Sequence, residues 1–254
     1  MLYELSKKKA INDKIFDFEV ESFNSTENVK AGQFFYIDCG GKSFLRRPIS
    51  ICDVLDGKLR FIFEIRGIGT YELSKKKCGE KIDILGPFGK PFNTEFGKNK
   101  ISILIGGGIG IIPLFKLSKE LEKVVAILGF KTKESIFLKE EFVSTCDKVI
   151  ITTDDGSFGK HGNAFEALED TLEREENKKN IGALYTCGPK KLIYGVAKFG
   201  ITNNIKTQVS MEEHMGCGIG ACMACVCDTT EGKMRVCKEG PVFDSKKILN
   251  NFEE

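Results

Sequence analysis

ISILIGGGIGIIPLFKLSKEL, residues 101–121, decides how the middle of this chain is built. Ile101–Ile105 is a short unbroken apolar run, the pattern of a strand buried on both faces of a parallel sheet. Gly106, Gly107, Gly108 and Gly110 follow at once, and Ile111–Leu121 then has helical spacing. Pro113 falls in the first helical turn, where its missing N–H costs little. Strand, glycine loop and helix in that order make a phosphate cradle. The glycines let the backbone approach, and the helix N-terminus favours negative charge. The strict G-x-G-x-x-G fingerprint is not met, so the loop alone also suits any tight strand-to-helix turn.

Toward the C-terminus the unit repeats. VVAILGF (124–130), KVIITTDD (148–155), IGALYTCGP (181–189) and KTQVSME (206–212) read as strands. Between them 135–144, 161–175 and 190–200 read as helices. The alternation predicts an α/β domain with a parallel sheet and right-handed crossovers over residues 98–208. Ligands bind beyond the carboxyl ends of such strands, which places Gly106–Gly110, Asp154–Gly156 and Cys187–Pro189 at the binding edge.

Toward the N-terminus, residues 1–97 read as β. IFDFEV, QFFYIDCG, LRFIFEIR and KIDILGP alternate and are separated by turn signals such as Asp56-Gly57, which predicts a closed antiparallel β-barrel. One helix is expected, over Gly69–Lys77. Arg46-Arg47-Pro48-Ile49-Ser50-Ile51 could hold a phosphate through a guanidinium fork and a hydroxyl, or be an edge strand with a basic end. Gly67 and Gly69, in Ile65–Tyr71, could open a helix onto an anion, a weak signal by itself.

The last segment, 209–254, contains MEEHMGCGIGACMACVCDTTEGKMRVC (211–237). Cys217, Cys222 and Cys225 have the C-x4-C-x2-C spacing of a plant-type two-iron site, and Cys237 is the distant fourth ligand. Gly216, Gly218, Gly220, Ala221 and Ala224 keep side chains out of the way, so backbone N–H groups can reach sulfur and tune the cluster. A structural zinc site would need a second C-x2-C pair, which is missing. On count alone Cys227 could replace Cys225 or Cys237; the spacing assigns it instead to a buried thiol beside the cluster. Met211, Met215 and Met223 offer either core or an adaptable apolar rim.

Composition bounds the rest. The chain has 254 residues, 41% hydrophobic, and its 38 Lys plus Arg nearly balance 36 Asp plus Glu. No nucleic-acid footprint is expected from that balance. No apolar run approaches the ~20 residues of a membrane span. MLYELSKKKA lacks the apolar core of a signal peptide, and thiolate ligands suit a reducing cytoplasm. The runs Lys7–Lys9 and Lys75–Lys77 read as solvated surface, as do His161 and His214.

RPIS at 47–50, the Gly-Thr pair at 69–70 and GPFG at 86–89 together resemble the flavin domain of the ferredoxin-NADP reductase superfamily. The resemblance implies FAD, with Arg47 at the pyrophosphate and Pro48, Ile49 and Ser50 along the flavin. It also implies Glu64, Ile65 and Arg66 lining the flavin, with Gly69 and Thr70 at the pyrophosphate. GGGIGIIPL resembles that superfamily's nicotinamide-dinucleotide loop, implying Gly107, Gly108 and Gly110 as NAD contacts. TCGP resembles the turn facing the nicotinamide, which puts Cys187 beside the hydride path. TTDDGSFGKHG resembles the adenosine-side loop, where Asp154 or Asp155 would repel a 2′-phosphate and favour NADH. EEHMGCGIGACMACVC with RVCKEGPVF is similar to the electron-transfer subunits of NAD-dependent (class B) dihydroorotate dehydrogenase. That likeness implies a [2Fe-2S] cluster on Cys217, Cys222, Cys225 and Cys237. It implies an FMN-containing dihydroorotate dehydrogenase catalytic subunit as partner, in a heterotetramer of two of each, serving pyrimidine biosynthesis. The chain's own residues show no acid or nucleophile for oxidising dihydroorotate, which suits a relay. The alternatives are a related reductase subunit, of a ferredoxin-NADP transhydrogenase or of sulfide or sulfite metabolism, a cofactor-free regulator, and a zinc-stabilised module.

Overall fold

The computed structural model describes residues 1–21, 26–174 and 180–248. Of the expected segments, residues 22–25, 175–179 and 249–254 lie outside the described residues. Six antiparallel strands come first: β1 (Leu2–Ala10), β2 (Ile15–Glu21), β3 (Phe34–Ile37), β4 (Arg47–Leu55), β5 (Lys58–Glu64) and β6 (Lys81–Phe88). They close a barrel in the order β1-β2-β5-β4-β3-β6. Alternation fills it: Leu5, Phe18, Phe35, Ile51, Phe61, Phe63 and Ile84 form its core. Phe34 and Tyr36 stand on the opposite face of β3 from Phe35, and their cross-strand partners on β4 are Ser50 and Pro48.

The lysine run Lys7–Lys9 is part of a strand. Lys8 pairs with Phe18, and its Nζ donates to the Ser74 and Lys76 carbonyls at 2.6 and 3.0 Å. The expected helix over 69–77 is α1 (Ile68–Ser74), where Ser74 Oγ donates back to the Tyr71 carbonyl at 2.7 Å.

The second unit runs β7 (Ile101–Gly107), α2 (Ile111–Ser118), β8 (Lys123–Phe130), α3 (Lys139–Thr145), β9 (Lys148–Thr153), β10 (Lys160–His161), α4 (Ala164–Arg174), β11 (Ile181–Cys187), α5 (Lys190–Thr202) and β12 (Lys206–Ser210). These strands pair in parallel in the order β10-β9-β8-β7-β11-β12. On one face α2 packs Ile111, Leu114 and Leu117 against Leu104, Ala126 and Tyr185. On the other, α4 and α5 bring Ala167, Leu168 and Val196 onto Ile103, Ile105 and Leu184. The helix expected over 135–144 begins only at Lys139. Leu138 takes a left-handed conformation (φ 57°), and Thr132 to Ser135 closes its own turn, with Ser135 Oγ donating to the Thr132 carbonyl at 2.6 Å. Apolar spacing does not reveal such Ser/Thr turns.

Barrel and sheet share one core, because Ile15, Ala31, Cys52 and Ile62 of the barrel join the cluster around α2. Ionic ties flank that seam. Lys119 Nζ meets the buried Asp53 at 2.7 Å, and Arg60 holds Asp17 at 2.8 Å and reaches Glu141 at 3.4 Å. The remainder is a hairpin of β13 (Val226–Thr229) and β14 (Gly232–Arg235), then β15 (Val242–Asp244). β15 adds to β12 antiparallel as the seventh strand, so the C-terminal segment is stitched into the sheet. Its core includes Phe34 and Tyr36 of the barrel, Ile193 and Ala197 of α5, and Cys225, Cys227, Val236 and Cys237.

Candidate functional site

A cleft of about 600 Å³ opens where the three units meet. That is within the roughly 300–1,000 Å³ of ordinary small-molecule sites. The barrel supplies its floor through Phe34, Pro48, Ile49, Ser50, Ile62 and Phe63, with Arg47, Glu64, Arg66 and Thr70 toward the edge. The start of α2 supplies Gly110, Ile112 and Pro113, and β11 supplies Cys187. The linker from β12 supplies Ser210 to Met215, and Pro241 closes one end.

Arg47 has its side chain beside Gly69: a Cβ there would stand 2.7 Å from Arg47 Nε and 2.9 Å from Ser43 Oγ. Its guanidinium donates to the Leu45 and Arg46 carbonyls at 2.5 and 3.2 Å and forms no ion pair among the described residues. Its charge thus remains available to an anion. Thr70 Oγ1 accepts from the Arg66 N–H at 2.9 Å and fixes the turn that carries both. Arg66 bridges Glu64 on the barrel and Glu212 on the linker, each at 2.9 Å. Ile65 is not part of the cleft wall; its N–H donates to the Lys14 carbonyl at 2.8 Å.

The glycine loop touches the Cys187-Gly188-Pro189 turn with no space to spare. A Cβ on Gly110 would stand 2.5 Å from Gly188 Cα and 2.6 Å from the Cys187 carbonyl, and one on Gly107 would meet Pro189 at 2.9 Å. Gly107, Gly108 and Asp154 stand at or just beyond the carboxyl ends of β7 and β9, outside the cleft wall itself. The Asp154 N–H donates to the Phe130 carbonyl at 3.0 Å. Asp155 is held low by hydrogen bonds from the Ser157 hydroxyl and N–H. Burial pushes the Cys187 thiol up to about 12, so it is neutral at physiological pH.

Beside the cleft the four expected cysteines approach as two pairs. Cys217 lies beside Cys222, and Cys225 beside Cys237. Among the described residues no three metal-binding side chains converge as a group for one ion. Two thiolates to each iron is the arrangement a two-iron centre takes. The backbone is aimed accordingly. Ala221 and Cys222 N–H groups point at Cys217 Sγ from 3.2 and 3.4 Å, and the Cys237 N–H at Cys225 Sγ from 3.4 Å. Backbone donors bring the Cys217 thiol down to about 6, whereas burial carries Cys237 up to about 12. Gly218 and Gly220 hold left-handed conformations (φ 73° and 82°) that turn the loop back on itself. Arg235 clamps its far side, bonded to Glu239 at 2.5 Å and to the Gly220 carbonyl at 2.7 Å. Cys227 is buried in the hairpin opposite Met234.

Residues 212–249 match the iron-sulfur cluster binding domain of dihydroorotate dehydrogenase B. The dihydroorotate dehydrogenase B (NAD(+)) electron transfer subunit of Caldanaerobacter subterraneus is 38% identical over 224 residues, 86% of each chain. This chain belongs to that electron transfer subunit family. The Enterococcus faecalis member is 36% identical over 95% of each chain. A dihydroorotate dehydrogenase B electron transfer subunit is one component of an oxidoreductase that has a catalytic partner subunit. In three dimensions the chain is similar to an NADH-dependent reduced ferredoxin-NADP oxidoreductase, with a TM-score of 0.85 and 26% identity over 100% of this chain and 94% of the other. Ferredoxin NADP+ reductase of Neisseria gonorrhoeae, solved with FAD and NADP, shares the fold at a TM-score of 0.67 and 16% identity, over 80% of this chain and 90% of that one.

Sequence reasoning missed part of the site. Phe34, Ile62, Phe63 and Ser210 carried no motif, and Met211 to Met215 were read with the cysteine segment rather than as cleft wall. The only hint was QFFYIDCG, in which consecutive aromatics must face both sides of a strand.

Proposed function

We propose that the cleft holds FAD, that NAD(H) docks across the glycine loop, and that a [2Fe-2S] cluster sits on Cys217, Cys222, Cys225 and Cys237. One observation carries the reading: the flavin-type motif, the Cys-Gly-Pro turn and the linker to the cysteines line one cleft, with the two cysteine pairs beside it. The residues suit the group, an apolar floor for a flat ring system and free cationic charge on Arg47 for a pyrophosphate. A flavin exchanges two electrons with nicotinamide and single electrons with iron–sulfur.

The chain's residues do the positioning. Arg47, with Gly69 and Thr70 beside it, receives the pyrophosphate. Pro48, Ile49, Ser50, Glu64 and Arg66 border the isoalloxazine. Gly107, Gly108 and Gly110 let the dinucleotide approach the backbone at the start of α2. Cys187 stays protonated and so presents a neutral surface to the nicotinamide. Asp154 at the adenosine end disfavours a 2′-phosphate, which selects NADH. The partner is an FMN-containing subunit that oxidises dihydroorotate, two of each forming a heterotetramer in the cytoplasm. No helix among the described residues is long and apolar enough to cross a membrane. The partner docks over the cysteine loop, where Ile219 and Met223 are 61% and 53% exposed; Met211 belongs instead to the core. The likeness to the ferredoxin-NADP oxidoreductase supports a second reading, a transhydrogenase subunit with a different partner.

Anaerobically purified protein should show flavin absorbance that bleaches with NADH, and a reduced two-iron EPR signal. Pull-down of the native complex should bring an FMN-containing dihydroorotate oxidase. A colourless preparation ends the redox reading, and a different flavoprotein partner selects the transhydrogenase.

A further inference from the structure

The outer face of β3 and β4 serves two sites. Phe34 stands opposite Ser50, and both line the cleft. Tyr36 stands opposite Pro48, which also lines the cleft, but Tyr36 itself is only 3% exposed. What covers it is the cysteine loop. The Tyr36 hydroxyl donates to the Met215 carbonyl at 2.9 Å. The backbone of Gly218 lies over the ring, so close that a Cβ there would stand 3.2 Å from three ring carbons. Met215 and Gly218 flank Cys217, so one side chain holds the loop on both sides of the first cysteine. On its other edge the ring meets Phe34, with centroids 6.4 Å apart at 68°. Cleft floor, Tyr36 and cysteine loop are therefore in continuous contact.

We propose that Tyr36 is the residue that seats the cluster loop against the flavin cleft and fixes the separation between the two electron carriers. This rests on the cofactor assignment above. Tyr36 is a positioning residue. With both groups bound, an electron would pass from flavin to cluster without involving the phenol, whose proton stays on its own oxygen, hydrogen-bonded to the Met215 carbonyl. Loss of the hydroxyl leaves that carbonyl without its donor and frees the loop. Loss of the ring removes the surface on which Gly218 rests.

The test uses the full chain and its Tyr36→Phe and Tyr36→Leu variants, prepared anaerobically. Iron release to a ferrous chelator reads loop opening, and Tyr36→Phe should release iron about tenfold faster, the effect of one buried hydrogen bond. Stopped-flow mixing with NADH reads the delay between flavin bleaching and cluster reduction in one trace. That delay should lengthen in Tyr36→Phe and further in Tyr36→Leu, with the EPR line shape of the dithionite-reduced cluster unchanged in Tyr36→Phe. A general loss of packing would alter the line shape and not the delay alone. If Tyr36→Leu does not fold, Tyr36→Phe decides. Wild-type protein carrying both cofactors, with Tyr36→Phe matching it in either iron release or delay, overturns the role of Tyr36. Wild-type protein carrying neither cofactor overturns the assignment beneath it.

Discussion

Gly110→Ala should separate the nicotinamide step from everything else the chain does. The backbone at Gly110 is ordinary (φ −66°, ψ −11°), so alanine meets no conformational obstacle there. The obstacle is contact. The new methyl would fall 2.5 Å from Gly188 Cα and 2.6 Å from the Cys187 carbonyl, both backbone atoms that no rotamer change can move. One of the two loops must retreat by about 1 Å to restore van der Waals separation. Overpacking of this kind costs about 1–3 kcal/mol. If the retreat is taken at the dinucleotide loop, NADH affinity falls about 5- to 150-fold. The melting temperature should drop by about 2–4 °C per kcal/mol. Gly57→Ala is the matched control: φ is 78°, nothing lies within 4 Å, and the position is the β4–β5 turn, remote from the cleft. It should cost about 1–2 kcal/mol through strain and leave the NADH dependence alone. The assay is anaerobic stopped-flow bleaching of the flavin against NADH concentration, with dithionite bleaching and bound flavin as references. Gly110→Ala with an NADH dependence within twofold of wild type would refute the claim that this contact shapes the dinucleotide site.

Three further outcomes follow from the same geometry. Arg47→Ala should weaken FAD retention about 10- to 100-fold, the range for a charge-assisted hydrogen bond to phosphate, measured as flavin content after gel filtration; unchanged occupancy removes Arg47 from the site. Cys222→Ser should abolish the two-iron EPR signal while NADH still bleaches the flavin, and a loss of flavin as well would contradict separate seats for the two groups. Cys187 has a raised pKa, so the neutral thiol persists below about 12. At pH 8 only about one thiol in ten thousand is thiolate. Residue-level mass spectrometry should therefore find Cys187, half-buried in the cleft wall, far slower to alkylate with iodoacetamide than the exposed Cys78, and equal rates would show that its pKa is not raised.

Much of the architecture could be read in the sequence because it depends on local pattern. Ile101–Ile105 followed by glycines and a helical run became β7 and α2 with boundaries within three residues of those expected. The alternation in IFDFEV and LRFIFEIR became β2 and β5 of the barrel. The unreadable parts depend on long-range packing. LYELSKKKA has lysines where a strand needs only an outward face, and nothing local says that Lys8 will find two carbonyls on the turn after α1. Val242–Asp244 is too short to carry a periodic signal, yet register with Gln208 to Ser210 makes it the last strand of the sheet. The cleft was legible where a motif carries its own chemistry, as at Arg47, Ser50 and Cys187. It was silent where wall residues are ordinary apolar side chains placed by topology, such as Phe34, Ile62 and Ile112.

That division explains why the cysteine segment is not an appendage. Cysteine spacing specifies which thiolates pair, and a loop of glycine and alanine can do that on any scaffold. It does not specify where the pairs stand relative to a flavin. Here the position is set by surfaces the spacing knows nothing about. β15 fastens one end of the segment to β12, and the bridge between Lys90 and Pro241 ties it to the chain just beyond β6. The linker from Met211 to Met215 forms the cleft wall on the way to Cys217. Barrel, sheet and cluster loop are thus held by one another, and the seam between barrel and sheet is a shared apolar core flanked by ion pairs on the buried Asp17 and Asp53. A relay that must bring a two-electron donor and a one-electron acceptor to one cleft gains from such rigidity. On the cofactor placement proposed above, the packing of the three units would set the separation between carriers.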